Sequence, residues 1–165
     1  MKKLKLYTTI SRKLKELGFT THLSKDPFEP VYRLIFRDND LFEKVKEVFK
    51  DTFPEEDEES ILALSSISST GDVTSYDGKI LFDIPIPLLS HYEYKDSELF
   101  TIPPSPIPKC EISKLEVHKL GWQTILRVHL VCSENLTESD IEKITKYIQL
   151  LEKLGKEIIE KTSSH

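Results

Sequence analysis

The C-terminal segment 137–161 constrains the fold more than any other part of the chain. Ile141, Ile144, Ile148, Leu151, Leu154 and Ile158 recur at three- and four-residue spacing, and Leu150 and Ile159 widen the stripe they make. Only an α-helix brings such positions to one side. Thr137-Glu-Ser-Asp140 opens the segment and resembles a capping box, with Asp in place of the usual Glu. A helix of about 25 residues is about 37 Å long, enough to cross a whole sheet. Its stripe has to be covered. One covering is a heptad-type seam with a second copy, giving a homodimer through this helix. The other is a sheet of the same chain. Gly155 falls where a seam would want an apolar residue, which favours the sheet.

The rest of the chain supplies that sheet. Residues 3–17 read as a helix, with Leu4, Tyr7, Ile10, Leu14 and Leu17 on one face and Gly18 as its C-cap. A loop with Pro27 and Pro30 follows. In 31–37, Tyr32, Leu34 and Phe36 alternate with Arg33 and Arg37, as in a half-buried strand. Asn39 or Asp40 then caps a second helix, with Leu41, Val45, Val48 and Phe49 on one face, and Pro54 ends it. The acidic run 55–59 reads as a solvated loop.

From 60 to 133 the expected pattern is β. Strands are predicted at 61–68, 73–76, 79–86, 91–94, 98–102, 111–119 and 122–132. Asp77-Gly78 marks a tight hairpin, because both central residues of that turn need positive φ. Pro85 and Pro87 suggest an edge or a strand end. Pro103, Pro104, Pro106 and Pro108 make a stiff connector. The last hairpin turns at Leu120-Gly121, and its alternation breaks at Ser113–Lys114, where a bulge would fit. Without a bulge, Cys110 and Cys132 fall on opposite faces, which favours two free thiols over a disulfide. The expected fold class is α+β: an antiparallel curved sheet packed on a long C-terminal helix, with an extra N-terminal helix. One domain is expected over 1–165, with the N-terminal helix and loop in 1–24 and the sheet with its helices in 28–162.

Composition bounds the function. The chain has 165 residues and a net charge of −5, which argues against general binding to nucleic acid. No stretch reaches the roughly 18 apolar residues of a membrane span. Basic residues interrupt the N-terminal segment, so no secretory signal is expected. Two cysteines make neither a disulfide framework nor a zinc ribbon. The expected compartment is the cytoplasm. One Met and few Asn or Gln, against many Lys, Glu and Ile, suggest a thermophilic source.

Chemistry-bearing motifs are sparse. His91 with Glu93, and Glu116 with His118, are i,i+2 pairs that share a strand face and could supply two ligands or an acid–base pair. A solvated sheet face explains them better. Asp83 interrupts an apolar strand and is expected on that solvated face. There is no phosphate loop, nucleophile elbow or metal signature. No cofactor and no metal are expected.

In element order, VYRLIFRD followed at once by DLFEKVKEVF, and TILRVHLVCSE followed by TESDIEKITKYIQLLEKLGKEIIEK, the chain resembles the helix-grip superfamily of START domains and plant pollen allergens. The resemblance covers about 28–161 and rests on no shared residue motif. It implies an apolar cavity between sheet and C-terminal helix, and non-catalytic binding of a small apolar ligand such as a lipid. The implied walls are Tyr32, Leu34 and Phe36, then Ile80 and Phe82, then Leu126, Val128 and Leu130. Ile144, Ile148 and Leu151 would be the lid. An interaction subunit of a larger intracellular complex is the alternative. A cyclase- or hydrolase-type enzyme using His91, Glu93, Glu116 or His118 is the third reading.

Overall fold

A computed structural model describes residues 2–25, 28, 32–68, 70–89, 102–120 and 123–163. The elements run α1 (Lys2–Glu16), β1 (Phe19–Lys25), β2 (Tyr32–Asp38), α2 (Asn39–Thr52), α3 (Glu58–Ser68), β3 (Thr70–Tyr76), β4 (Lys79–Leu89), β5 (Cys110–Leu120), β6 (Gln123–Ser133) and α4 (Glu138–Ser163). Six strands form one open, curved, antiparallel sheet in the order β1-β2-β3-β4-β6-β5. The fold is therefore α+β, as expected.

The sheet buries one face under α1 and α4. Leu34 and Phe36 of β2, Val73 of β3, Ile80 to Leu88 at alternate positions of β4, and Leu126, Val128 and Leu130 of β6 meet Tyr7, Ile10 and Leu14 of α1 and the stripe of α4 in a single cluster. The period of two in the strands and the spacing of three and four in the helices converge on one layer. Gly155 explains how closely α4 lies on β4, since a Cβ there would stand 3.0 Å from Ile86 Cγ2. Ile141, Ile144, Ile148, Leu151 and Ile158 are consumed by this intramolecular core, and Leu150 at its border stays exposed. A smaller cluster of Leu41, Val45, Val48 and Phe49 on α2, Ile61 on α3 and Ile159 on α4 closes the C-terminal end of α4.

Several local expectations hold. Asp77 and Gly78 adopt φ of 50° and 74° and join β3 to β4 with Tyr76 opposite Lys79. The reciprocal capping box forms: Thr137 N–H donates to Asp140 Oδ2 at 2.9 Å, and Asp140 N–H donates to Thr137 Oγ1 at 3.1 Å. β3 pairs with β4 only as far as Asp83, whereas β6 follows β4 to Leu89. Among the described residues, Pro85 and Pro87 thus stand where one side of β4 has no ladder to disturb.

Four expectations are corrected. Residues 61–68 form a helix, not a strand. Asp57 Oδ1 accepts from Ser60 N–H at 2.7 Å and caps it, Glu58 and Glu59 suit its positive end, and the Ser65 hydroxyl bonds back to the Ile61 carbonyl. The C-terminal part of the acidic run is therefore its first turn. Second, residues 19–25, read as loop, are strand β1. His22 lies on it, at an edge where Thr and Ser positions mask the alternation. Third, the cap of α2 is Asp38, one residue before Asn39, with Leu41 N–H donating to its Oδ1. Fourth, Cys110 and Cys132 form a disulfide. A register shift between Ile112 and Lys114 restores both to the same face. The strand expected at 91–94, and all but Ile102 of that at 98–102, lie outside the described residues. Ile102 packs against the main core.

Candidate functional site

Each residue implied as a cavity wall lies at the interface of sheet and helices. Leu34, Phe36, Ile80, Phe82, Leu126, Val128, Leu130, Ile144, Ile148 and Leu151 are all buried, at 4% exposure or less. Tyr32 is half-buried at the margin, its ring 6.4 Å from that of Tyr7. The side chains of α1 fill space beside α4 that a lone helix would leave. One internal gap, lined by Phe19, Phe36, Asp38, Leu41, Ile84, Pro85, Ile148 and Glu152, measures about 10 Å³. That is roughly the space of a single water.

Glu152 borders this gap and belongs to a partly buried ionic cluster. Lys156, one turn further along α4, places Nζ 2.7 Å from Glu152 Oε1 and 3.4 Å from Asp38 Oδ1. Burial pushes the Glu152 carboxyl up to about 8, and its hydrogen bond with Asp38 adds to the rise, against the pull of Lys156. Glu152 thus keeps its proton at neutral pH and donates it to Asp38, while Asp38 accepts from the first turn of α2. Burial opposes the Lys156 ammonium, but its bond to Glu152, the charge Glu152 carries once it has ionised, and then the charge on Asp38 outweigh that and raise its pKa. The cluster is a polar latch between the start of α2 and the middle of α4. Glu152 and Lys156 also line an open groove of about 510 Å³, together with Lys146, Gln149, Leu150 and Lys153.

The opposite face of the sheet carries its ionic pairs beside buried apolar positions at Pro85, Pro87 and Ile125. Arg33 pairs with Asp72 at 2.6 Å, and Arg127 bridges Asp83 at 3.1 Å and the Thr70 carbonyl at 3.2 Å. Asp83 is thus on the outer face, as expected. His118 Nε2 and Glu116 Oε2 hydrogen-bond at 2.5 Å, and Lys114 pairs with the other oxygen of the same carboxylate. Lys114 first and His118 second hold Glu116 down at about 2. The two potential ligands occupy each other. His91 and Glu93 lie outside the described residues. Among the described residues, no group of three or more His, Cys, Asp or Glu side chains converges as a metal site.

The anomaly is strand β5, at the end of the sheet. Leu115 pairs with Val128 and Val117 with Leu126. Both therefore point to the helix-covered face, yet Leu115 is 50% exposed and Val117 63%. Their backbone faces outward too. Cys110 and Cys132 form a close pair, Cα–Cα 4.0 Å, of the kind that exchanges no ladder bonds. The two-residue alternation along β6 makes Leu130, Val128 and Leu126 the same kind. The N–H and C=O groups of Leu115 and Val117 consequently point away from β6. Among the described residues, no strand pairs with this outer side. The other edge differs: β1 exposes Thr20, His22 and Lys25, and α1 lies along it.

Sequence reasoning missed the latch and the edge. Glu152 and Lys156 lie beside the apolar stripe of α4, and neither is singled out by the sequence. The bulge at Ser113–Lys114 was the one available signal for the edge, since it decides which face Leu115 and Val117 take. No protein-family model, curated protein or solved structure matches this chain.

Proposed function

We propose that the chain is an interaction module that engages another polypeptide by strand addition at β5. One observation carries the reading: two apolar side chains, Leu115 and Val117, stand exposed on an end strand whose backbone groups point outward. An open edge is a ready template for another strand, and natural sheets usually blunt it with charge, proline or a covering element. Main-chain bonds there supply affinity, and alternate side chains supply specificity. The apolar-carrier reading rests on the gathered wall residues, but a site for a lipid-sized ligand needs about 300 Å³ or more. The gap of about 10 Å³ among them supports it less well. Among the described residues, no helix is long and apolar enough to cross a membrane.

The reading is tested by amide hydrogen exchange at high dilution. The Leu115 and Val117 amides are expected to exchange quickly, while Leu126 and Val128 on the neighbouring strand are protected. Slow exchange at Leu115 and Val117 in dilute protein means that the chain itself covers the edge, and the reading fails.

A further inference from the structure

We infer that the partner of this edge is a second copy of the same chain, joined two-fold by antiparallel β5–β5 pairing centred on Val117. The inference rests on the strand-addition reading and names its partner.

The regular part of the edge selects the register. The register shift between Ile112 and Lys114 interrupts the strand at one end, and β5 ends at Leu120. The uninterrupted stretch runs from Lys114 to Leu120, and its midpoint is Val117. A two-fold axis at Val117 uses the whole stretch on both copies. Val117 then faces its counterpart as an outward-pointing residue, and the two exchange both N–H···O bonds.

Charge selects the same register. About Val117, Glu116 stands directly opposite His118 of the second copy, and His118 opposite the second Glu116. Each carboxylate, already held ionised by Lys114 and His118 of its own strand, gains a further imidazole donor. An axis at Glu116 would instead oppose two glutamates and set Lys114 against His118, and like groups directly opposite are unfavourable. An axis at Leu115 would bring Val117 against the interrupted residue Ser113. On the helix-covered face, Val117 meets its counterpart directly, while Leu115 stands opposite Lys119 of the second copy and has the second Val117 as its diagonal neighbour, so the pairing covers part of the exposed apolar surface. Two six-stranded sheets become one continuous sheet of twelve strands.

The contact is small, so a weak dimer that dissociates on dilution is expected. Sedimentation of the whole chain from about 1 to about 200 µM reads it directly. A monomer–dimer equilibrium abolished by Val117→Lys supports the pairing. A monomer across that range overturns it. If the Leu115 and Val117 amides exchange quickly in the same samples, the strand-addition reading survives and only self-pairing falls. Cysteine cross-linking reads the register: Val117→Cys should give a covalent dimer under mild oxidation, because facing Cα atoms about 5.5 Å apart suit a disulfide. Leu115→Cys should not, its copies being about 14 Å apart. The reverse pattern overturns the register. His118→Glu should weaken the dimer about tenfold, and the swapped pair Glu116→Lys with His118→Glu should restore it. Equal dimerisation of wild type, single variant and swap overturns the Glu116–His118 contact.

Discussion

Replacing Glu152 by Gln should alter the pH dependence of stability in a way that a merely local packing change would not. In the folded protein the Glu152 carboxyl titrates near pH 8, against an ordinary value of 4.5. Below pH 4.5 it is protonated in folded and unfolded chains alike, and its contribution to stability is fully present. Between 4.5 and about 8 the unfolded chain has released a proton that the folded chain still holds. Stability therefore falls as pH rises, and the fall ends above about 8. One proton corresponds to about 1.4 kcal/mol per pH unit, so the loss is about 3 kcal/mol by pH 7 and at most about 5. Lys156 stays charged throughout this window and does not offset the slope. Gln keeps an N–H donor for Asp38 and nearly the same volume, but carries no titrating proton. Urea denaturation of wild type and Glu152→Gln at intervals from pH 4.5 to 9 checks the expectation. The curves should meet near pH 4.5 and diverge above it, with the variant the more stable by about 2–4 kcal/mol at pH 8. In thermal terms that is roughly 5–15 °C for a chain of this size. Parallel curves would refute the argument, because a latch that binds no extra proton cannot give a pH-dependent difference.

Further outcomes are expected elsewhere. Gly71→Ala should destabilise the protein by about 2–3 kcal/mol in urea melts, because its Cβ would lie 2.5 Å from Phe36 Cζ and 2.7 Å from the Asp83 carbonyl oxygen; a neutral result would show that β3 can shift away. Asp57→Ala should cost about 1 kcal/mol and weaken protection of the first turn of α3 in hydrogen exchange. Asp140 is held down at about 2 by its bond to Lys109 and by the Thr137 amide. Its contribution is present above pH 3.8 and lost as pH falls toward 2, so Asp140→Asn should flatten the acid limb of the stability curve. Reduction of the Cys110–Cys132 bond, which spans 22 positions, should lower stability by about 3 kcal/mol on the chain-entropy account, read as the difference between melts with and without reductant.

The sequence alone determined the elements whose periodicity is long or whose turn chemistry is strict. The stripe of α4, its Thr137–Asp140 cap, the alternation of β4 and β6 and the Asp77-Gly78 hairpin each follow from one local rule, and the structure shows each. The apolar positions of the strands and of α4 are buried together, because burial on one face of a strand or helix is written in the spacing. Whether a grouped set encloses a cavity or a filled core is not written there, since both need the same apolar side chains. Short segments misled for the same reason: 61–68 carries apolar residues compatible with either period, and only the Asp57 cap and the cover of α2 make it helical. The remaining features belong to tertiary structure alone. A single extra residue in β5 set both cysteines on one face and turned Leu115 and Val117 to the side of the core. The end of β2 met the middle of α4, and that meeting made a partly buried proton-holding site of Asp38, Glu152 and Lys156. Distances between residues far apart in sequence set desolvation and charge coupling, and no local pattern encodes them.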